Sequence, residues 1–326
     1  MVLNSEQMQS IARGVVRAEE ADGWFRFYRF TEEQESYYTY NPDFLKKTFA
    51  SSGVRLAFYT NSESLAFDFQ FASGSSRSYG WFDLYENGAM VKHFGSESAD
   101  ISSGHVSLPL SAGEKLVELY FPWSQRTDLK DVTLDDGATL TPSYRKKKMI
   151  AFGDSITHGY DAIYPSQSYV CRLARMLDAD VIDKGIGGDV FCPDLLKTND
   201  PVAPDIVTVA YGTNDWSCRT PEEYRENCRL FYTRLSELYP EAKIFAITPI
   251  WRRDASRSNS QFGAPAWETH NAIAECVEGL PNVTLIRGWD LVPHLKAFFS
   301  DFSVHPNDAG FAAYAEGLYC EIVKYL

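Results

Sequence analysis

Hydrophobic and polar residues alternate with a period of two through much of the first part of this 326-residue chain. Turn signals rich in Gly, Asn and Ser separate these short runs, and little helical periodicity follows the first segment. Such runs are typical of antiparallel strands that bury one face. We therefore predict an all-β sandwich or jelly-roll domain over residues 1–142, with strands near 54–59, 64–71, 81–85 and 115–121.

The pattern changes after residue 148, where apolar runs begin to alternate with helix-like segments. This alternation predicts an α/β domain over residues 148–326, in which helices cover both faces of a parallel sheet. The strands are predicted near 148–152, 179–183, 205–211, 243–248 and 283–286, and the helices near 166–177, 221–238, 266–277 and 307–325. The basic run at 145–148 is interpreted as a solvated linker that leads into the first of these strands.

Small and polar residues cluster near the ends of the predicted elements of the second domain. The clusters are GDSI at 153–156, GIGGD at 185–189, GTND at 212–215 and SVHPND at 303–308. The first three follow predicted strands, and the fourth precedes the last predicted helix. In an open parallel sheet the carboxyl ends of the strands face a common crevice, so these side chains can converge although they are far apart in sequence.

The residue types in these clusters suit acyl transfer. A serine hydroxyl, here Ser155, is a poor nucleophile until a base accepts its proton, and His305 is the candidate base. The reaction creates an oxyanion that needs donors already in place. The Ser155 amide, a glycine amide from the second cluster and the Asn214 side chain are the candidate donors. Taken singly, each cluster is also ordinary turn chemistry, so the argument depends on their joint occurrence.

Taken together and in this order, the four clusters resemble the SGNH (GDSL-type) hydrolases, which are named for a serine, a glycine, an asparagine and a histidine. The resemblance runs from about Gly153 to the end of the chain. It implies a flavodoxin-like three-layer α/β/α domain and ester hydrolysis without a metal or an organic cofactor. Because the family often shows a Gly-Asp pair in the second cluster, the resemblance favours Gly188 over Gly185 and Gly187 as the oxyanion donor.

The third member of the catalytic triad departs from the family pattern. The family places an aspartate three residues before the histidine, but Phe302 occupies that position here and Asp301 lies four residues before His305. One interpretation is a one-residue bulge that lets Asp301 reach the second imidazole nitrogen. The other is a serine–histidine dyad in which a backbone carbonyl orients the ring. Both interpretations remain open at this stage.

Aromatic and polar residues flank the predicted crevice, which suits a sugar ring, although Trp216 and Trp251 fit a core position equally well. The candidate substrate-binding residues are His158, Tyr160, Trp216, Trp251 and Arg252. A β-sandwich followed by a GDSL-type domain resembles the family-two carbohydrate esterases, which implies removal of O-acetyl groups from plant-derived oligosaccharides. The alternatives are a general short-chain acyl esterase or thioesterase, and a glycan-binding protein with an inactive hydrolase domain.

Charge and composition narrow the set of partners. The net charge of −13 argues against binding to nucleic acid or to an anionic membrane surface. The six histidines lack metal-ligand spacing, and the six cysteines form no C-x-x-C pair, which is typical of reduced core thiols. The N-terminal residues do not resemble a signal peptide, so we expect a cytoplasmic protein. The sequence leaves the oligomeric state open.

Overall fold

The computed structural model describes residues 1–97, 102–257 and 259–326, which contain three β-sheets. Two of the sheets are antiparallel and come from the N-terminal part of the chain. In spatial order, the first consists of β1 (Ala12–Arg13), β4 (Arg55–Thr60), β9 (Lys115–Tyr120), β6 (Phe82–Glu86) and β7 (Ala89–Phe94), with β11 (Thr141–Pro142) paired to β4. The second consists of β2 (Arg17–Ala21), β3 (Trp24–Tyr28), β10 (Gln125–Leu134), β5 (Ser64–Ser73) and β8 (Ser103–Pro109).

The two antiparallel sheets share one apolar core. Leu56, Phe58 and Val117 of the first sheet belong to the same buried cluster as Phe67 and Leu129 of the second. Along β5 buried positions alternate with half-buried ones, as the period-two pattern requires. The predicted β-sandwich is therefore confirmed.

The third sheet is parallel and carries helices on both faces. Its strands, in spatial order, are β13 (Ala179–Gly185), β12 (Lys147–Gly153), β14 (Ile206–Ala210), β15 (Lys243–Ile247) and β16 (Val283–Ile286). The helices of this domain are α4 (Ser155–His158), α5 (Tyr169–Met176), α6 (Thr213–Cys218), α7 (Pro221–Leu238), α8 (Thr269–Val277) and α9 (Asp308–Ile322).

The two faces of the parallel sheet pack in separate apolar clusters. Ile150 and Phe152 of β12 pack in the cluster that includes α7 and α8, whereas Met149 and Ala151 pack in the cluster that includes α5 and α9. This is the predicted three-layer α/β/α architecture. The strand order reverses direction at β12, between β13 and β14, and such a switch point opens a crevice at the carboxyl ends of the strands.

Helices interrupt the sandwich, which the sequence pattern did not predict. Besides α1 (Ser5–Ile11), the segment between β3 and β4 contains α2 (Glu32–Tyr37), a 3₁₀ turn (Tyr38–Tyr40) and α3 (Pro42–Thr48). We call α2, this turn and α3 the helical insertion. Its Tyr38 is completely buried and belongs to the same apolar cluster as Ile150 of the parallel sheet. The insertion therefore packs against the α/β domain.

Buried charges join the two domains. The guanidinium of Arg55, from the sandwich, donates to Glu118 at 3.0 Å and also to Asp180 of β13. Arg145 donates to Glu118 at 2.8 Å. Arg145 is thus an interface residue, whereas Lys146 is exposed and pairs with Asp178 at 3.4 Å, and Lys147 and Lys148 already belong to β12. The first residue of the basic run therefore differs from the predicted solvated linker, because Arg145 pairs with the buried carboxylate of Glu118 between the domains.

All six cysteines lie within the described residues, and none of them forms a disulfide. Four are buried, namely Cys171, Cys192, Cys228 and Cys276. In the described part of the chain, no helix combines the length and the apolar character needed to cross a lipid bilayer. The same residues contain no group of three or more His, Cys, Asp or Glu side chains arranged to hold a metal ion.

Candidate active site

The proposed nucleophile lies on a tight turn between β12 and α4. Asp154 caps the helix, because its carboxylate accepts the amide N–H of Ile156 at 2.9 Å. Gly153 must lack a side chain, since a Cβ atom there would lie 2.0 Å from the Thr157 hydroxyl oxygen. The turn places Ser155 as the first residue of α4, above the carboxyl end of the sheet.

His305 lies next to this serine. The Ser155 hydroxyl oxygen is 2.9 Å from His305 Nε2. The loop that carries the histidine is fixed at both of its ends, because Ser300 N–H donates to the His305 carbonyl at 2.9 Å and Asn307 caps α9 through Gly310 N–H at 3.0 Å. A rigid loop of this kind holds the imidazole within reach of the hydroxyl.

Asp301 occupies the position that the bulge interpretation requires. Its Oδ2 atom is 2.9 Å from His305 Nδ1, and its Oδ1 atom accepts the amides of Ser303 and Val304 at 2.8 Å each. The intervening Phe302 adopts a left-handed backbone with φ of 55°, which absorbs the extra residue. Partial burial opposes ionisation of Asp301, but the hydrogen bonds from His305 and the two amides hold its pKa well below the usual range.

The candidate oxyanion donors belong to two neighbouring loops. Asn214 Nδ2 donates to the carbonyl of Asp189 at 2.8 Å, which ties the amide side chain to the loop that contains Gly188. Its second N–H remains available. Gly188 has a φ of 91°, and its amide has no protein acceptor within the described residues. These features favour Gly188 as a donor that faces the crevice.

Gly185 and Gly187 have packing reasons to lack a side chain. A Cβ atom at Gly185 would lie 2.2 Å from the His158 amide nitrogen, and one at Gly187 would lie 2.4 Å from the Tyr160 hydroxyl oxygen. Such close approach of neighbouring groups explains both glycines without an oxyanion role.

Three buried carboxylates lie directly beside Ser155, Gly188 and Asn214 along the chain. Burial raises the pKa of Asp154 and Asp189 to about 6 and that of Asp215 to about 7. Asp189 accepts the hydroxyl of Tyr38 at 2.7 Å, and Asp215 accepts the amide of Phe191 at 3.1 Å. Their hydrogen bonds show that these carboxylates organise the turns.

Two of the five residues predicted to bind substrate are completely buried. His158 lies between the domains, where its Nε2 is 3.1 Å from the Trp123 carbonyl, and burial holds the pKa of His158 well below its usual range. Trp216 donates its indole N–H to the Ala264 carbonyl at 2.7 Å. These side chains offer no surface to a ligand, because both belong to the packed interior, and we assign them structural roles.

The other three lie closer to the crevice. The ring of Tyr160 stacks on the imidazole of His305, with centroids 5.7 Å apart and planes at 27°. Arg252 is buried and donates to the Thr213 carbonyl at 3.0 Å, next to Asn214. Trp251 is half-buried and packs against Phe299 in the histidine loop. Of the five residues, Trp251 has the most accessible ring.

Several side chains of the N-terminal domain reach this site, and the sequence analysis missed them. Lys47 of α3 donates to the Gly187 carbonyl at 2.8 Å, and the ring of Phe44 lies beside Gly188. Arg77, in the loop between β5 and β6, donates to Asp161 at 2.7 Å. Spacing along the chain gives no signal for these contacts, because they arise only from the packing of one domain on the other.

Comparison with solved structures shows that the two-domain fold is shared. The salicylyl-acyltransferase SsfX3 from a tetracycline biosynthetic pathway is 22% identical, with a TM-score of 0.82 over 96% of this chain and 94% of that chain. A putative GDSL-like lipase from Bacteroides ovatus is 20% identical, with a TM-score of 0.75 over 98% and 96%. An active-site mutant of a family-two carbohydrate esterase from Clostridium thermocellum is 17% identical, with a TM-score of 0.65 over 85% and 93%.

Sequence comparison identifies the family more directly than fold similarity does. No curated protein sequence matches the chain significantly. The GDSL-like lipase/acylhydrolase family matches residues 151–313, which are half of the chain and include the loops of Ser155, Gly188, Asn214 and His305. The chain therefore belongs to the GDSL-like lipase/acylhydrolase family, as a carboxylic ester hydrolase of the SGNH type.

Proposed function

We propose that this protein removes O-acetyl groups from carbohydrates through an acyl-enzyme on Ser155. The observation that carries the proposal is the continuous contact from Ser155 Oγ to His305 Nε2 and from His305 Nδ1 to Asp301, at 2.9 Å in each step. A nucleophile, a base and an orienting carboxylate in hydrogen-bond contact are the arrangement that serine hydrolysis requires.

In the first half of the reaction, Nδ1–H of His305 donates a hydrogen bond to Asp301, which leaves Nε2 free to accept the serine proton. Ser155 Oγ attacks the acetyl carbonyl carbon, and the resulting oxyanion receives hydrogen bonds from the Ser155 and Gly188 amides and the Asn214 side chain. His305 then donates its proton to the departing sugar oxygen, which leaves acetylated Ser155 and a free sugar hydroxyl.

The second half repeats these roles with water. His305 accepts a proton from the attacking water, a second oxyanion forms in the same place, and the ester bond to Ser155 breaks. The proton returns to Ser155 Oγ, and acetate leaves. Each half forms one C–O bond and breaks one, so the enzyme is restored.

Two observations support a sugar ester. The half-buried ring of Trp251 packs against the histidine loop, and an aromatic face of this kind suits the apolar face of a sugar ring. In addition, the fold is shared with family-two carbohydrate esterases, one of them in complex with cellohexaose. Plant-derived oligosaccharides carrying O-acetyl groups are therefore the substrate class we propose.

A substrate panel tests this proposal. Acetate release is measured from acetylated xylo- and manno-oligosaccharides, from an aryl acetate and from an acetyl thioester, with wild type, Ser155→Ala and the matched Ser236→Ala on α7. We expect the highest kcat/KM on the oligosaccharides and a loss of about 10⁴-fold or more in Ser155→Ala only. A preference for the thioester would replace the sugar proposal with the thioesterase alternative. No turnover of any ester, with retained binding of glycans, would favour the inactive binding protein.

A second candidate is acyl transfer to an alcohol in place of water. It is favoured by the shared fold with the acyltransferase SsfX3, which extends over both domains at a TM-score of 0.82. The first half of the reaction would be the same, and only the second nucleophile would differ. Mass analysis of the products with a sugar acceptor present distinguishes the two, because transfer yields a new ester where hydrolysis yields free acetate.

A further inference from the structure

The candidate base faces a second carboxylate besides Asp301. Asp161 Oδ2 lies 3.9 Å from His305 Nδ1, and its side chain is only 8% exposed, against 33% for Asp301. Asp161 comes from the loop after α4. This geometry places a second negative charge near the imidazole, in addition to that of Asp301.

Asp161 is held by contacts from both domains. Arg77 Nε donates to its Oδ1 at 2.7 Å and Arg77 Nη2 to its Oδ2 at 3.4 Å, while the Ser300 hydroxyl donates to Oδ2 at 2.7 Å. The hydrogen bond to Asp161 raises the pKa of the Arg77 guanidinium. Asp161 itself has a left-handed backbone with φ of 70°. These contacts fix the carboxylate beside the histidine loop.

Within the described residues, the charged and titratable groups that face His305 or its neighbours come from its own loop, the turn before α4, the loop after α4 and the sandwich. Asp301 belongs to its own loop, Asp154 caps α4 beneath Ser155, Asp161 and the stacked Tyr160 follow α4, and Arg77 comes from the sandwich. Arg77 also lies over the Tyr160 ring, with its guanidinium carbon 5.4 Å from the ring centroid. Arg77 is therefore the cation that balances Asp161.

We propose that Asp161 is a positioning residue that raises the proton affinity of His305, and that Arg77 of the N-terminal domain limits this effect by balancing its charge. The proposal rests on the proposed role of His305 as the base. In this proposal the sandwich contributes to the acid–base chemistry of the site, because Arg77 offsets the charge of a carboxylate that lies near the base.

Substitution of Asp161 and substitution of Arg77 are predicted to change the protonation of His305 in opposite directions. This difference distinguishes the proposed electrostatic role from a purely structural one. Asp161→Asn removes a negative charge and leaves Arg77 unbalanced, so protonation of His305 becomes less favourable. Arg77→Met removes the positive charge and leaves Asp161 unbalanced, so protonation becomes more favourable. If the pair were only a clamp between the domains, both variants would lower stability and neither would move the titration of the imidazole.

The test is an NMR titration of histidine ring signals in the full-length protein, with the His305 signal assigned by its absence in His305→Gln. We expect the His305 midpoint to fall in Asp161→Asn and to rise in Arg77→Met. The acid limb of the kcat/KM profile is expected to move in the same directions. Arg126→Met, which removes a sandwich arginine paired with Asp128, is the matched control and should change neither quantity.

Unchanged midpoints in both variants, or shifts of the same sign, would overturn the proposal. Circular dichroism identifies a variant that fails to fold, and in that case the remaining variant still decides the question by the sign of its shift. The NMR midpoint does not depend on turnover. It therefore stays informative even if Ser155→Ala were to retain activity and the proposed function were to fail.

Discussion

At the scale of single residues, the site depends on how one extra residue is accommodated between Asp301 and His305. Phe302 takes a left-handed backbone, and the carboxylate of Asp301 then reaches His305 Nδ1 while it also accepts nearby amides. The sequence alone left a bulge and a dyad open, because spacing along a loop does not determine its conformation. The geometry supports the bulge.

The first prediction concerns Asp301→Asn. Asparagine keeps the shape but donates an N–H toward Nδ1, which favours the wrong tautomer, so we expect kcat to fall by about 10²- to 10⁴-fold with little change in KM. Steady-state kinetics on an aryl acetate measures this, and Asp290→Asn on the surface is the matched control. Equal activity in the two variants would support the dyad and contradict the role of Asp301.

At the scale of elements, strand ends and helix caps determine most of the site. The helix α7 begins and ends where the sequence predicted, because Thr220 and Glu223 form a capping box and Pro221 suits the first turn. The loops of Ser155, Gly188 and Asn214 likewise follow strands that the sequence predicted. Such local signals are readable because each depends on neighbours in the chain.

The helical insertion shows where local signals were present but overlooked. Thr31 and Gln34 form a capping box, and Asn41 caps α3 ahead of Pro42, so the sequence does contain helix start signals. The aromatic residues of the helical insertion show no clear helical period. Most of them pack against the α/β domain, so their spacing reflects that interface. The contacts of Lys47 and Arg77 with the site had no sequence signal at all, because they depend on how the domains dock.

The second prediction concerns the left-handed position in the histidine loop. Glycine adopts a left-handed backbone without strain, whereas the β-branched side chain of valine disfavours it. We therefore expect the free energy of unfolding of Phe302→Gly to be larger than that of Phe302→Val by about 1–2 kcal/mol. Urea denaturation measures the difference. The glycine variant is also expected to keep wild-type kcat, and a valine variant of equal stability and activity would contradict the bulge.

At the scale of the whole molecule, the N-terminal domain is part of the site. Arg77 contacts Asp161, Tyr38 contacts Asp189, and Lys47 contacts the carbonyl of Gly187 immediately before the candidate oxyanion glycine. A domain that supplies three such contacts holds the catalytic loops in place. Removal of the sandwich is therefore expected to cost activity and not only substrate affinity.

The third prediction compares two neighbouring lysines of α3. Lys47→Met breaks the hydrogen bond to the Gly187 carbonyl and lets the loop of the candidate donor Gly188 move, so we expect kcat to fall by about 10-fold with KM nearly unchanged. Lys46→Met is the control, because Lys46 also pairs with Asp43 but its side chain is 39% exposed, against 7% for Lys47. Equal kinetics for both variants would mean that the sandwich does not position this loop.

The fourth prediction follows from the buried carboxylates. Asp154, Asp183 and Asp189 have pKa values raised by burial to about 6, and that of Asp215 is raised to about 7. These four carboxylates bind more protons in the folded state than in the unfolded state between about pH 4 and pH 7, so their contribution to stability falls as pH rises through this window. The buried His158, whose pKa is lowered, has the opposite sign below about pH 6.5, but it is one group against four. Asp301, with its lowered pKa, has the opposite sign, but its stabilising contribution is lost only below about pH 4.

Urea denaturation at pH 5.5 and pH 8 tests this pH dependence. We expect the free energy of unfolding to be larger at pH 5.5 by at least about 1 kcal/mol, and the difference to shrink in Asp189→Asn. A free energy that rises between these two pH values would show that the carboxylates are ionised and well paired in the folded protein.

The most direct test of the central claim is covalent labelling of the nucleophile with a fluorophosphonate, followed by mass mapping of the modified peptide. We predict one label per chain, located on Ser155, with rapid labelling of wild type and slow labelling of His305→Gln. Labelling of another residue, or equal labelling rates with and without His305, would contradict a serine esterase activated by this histidine.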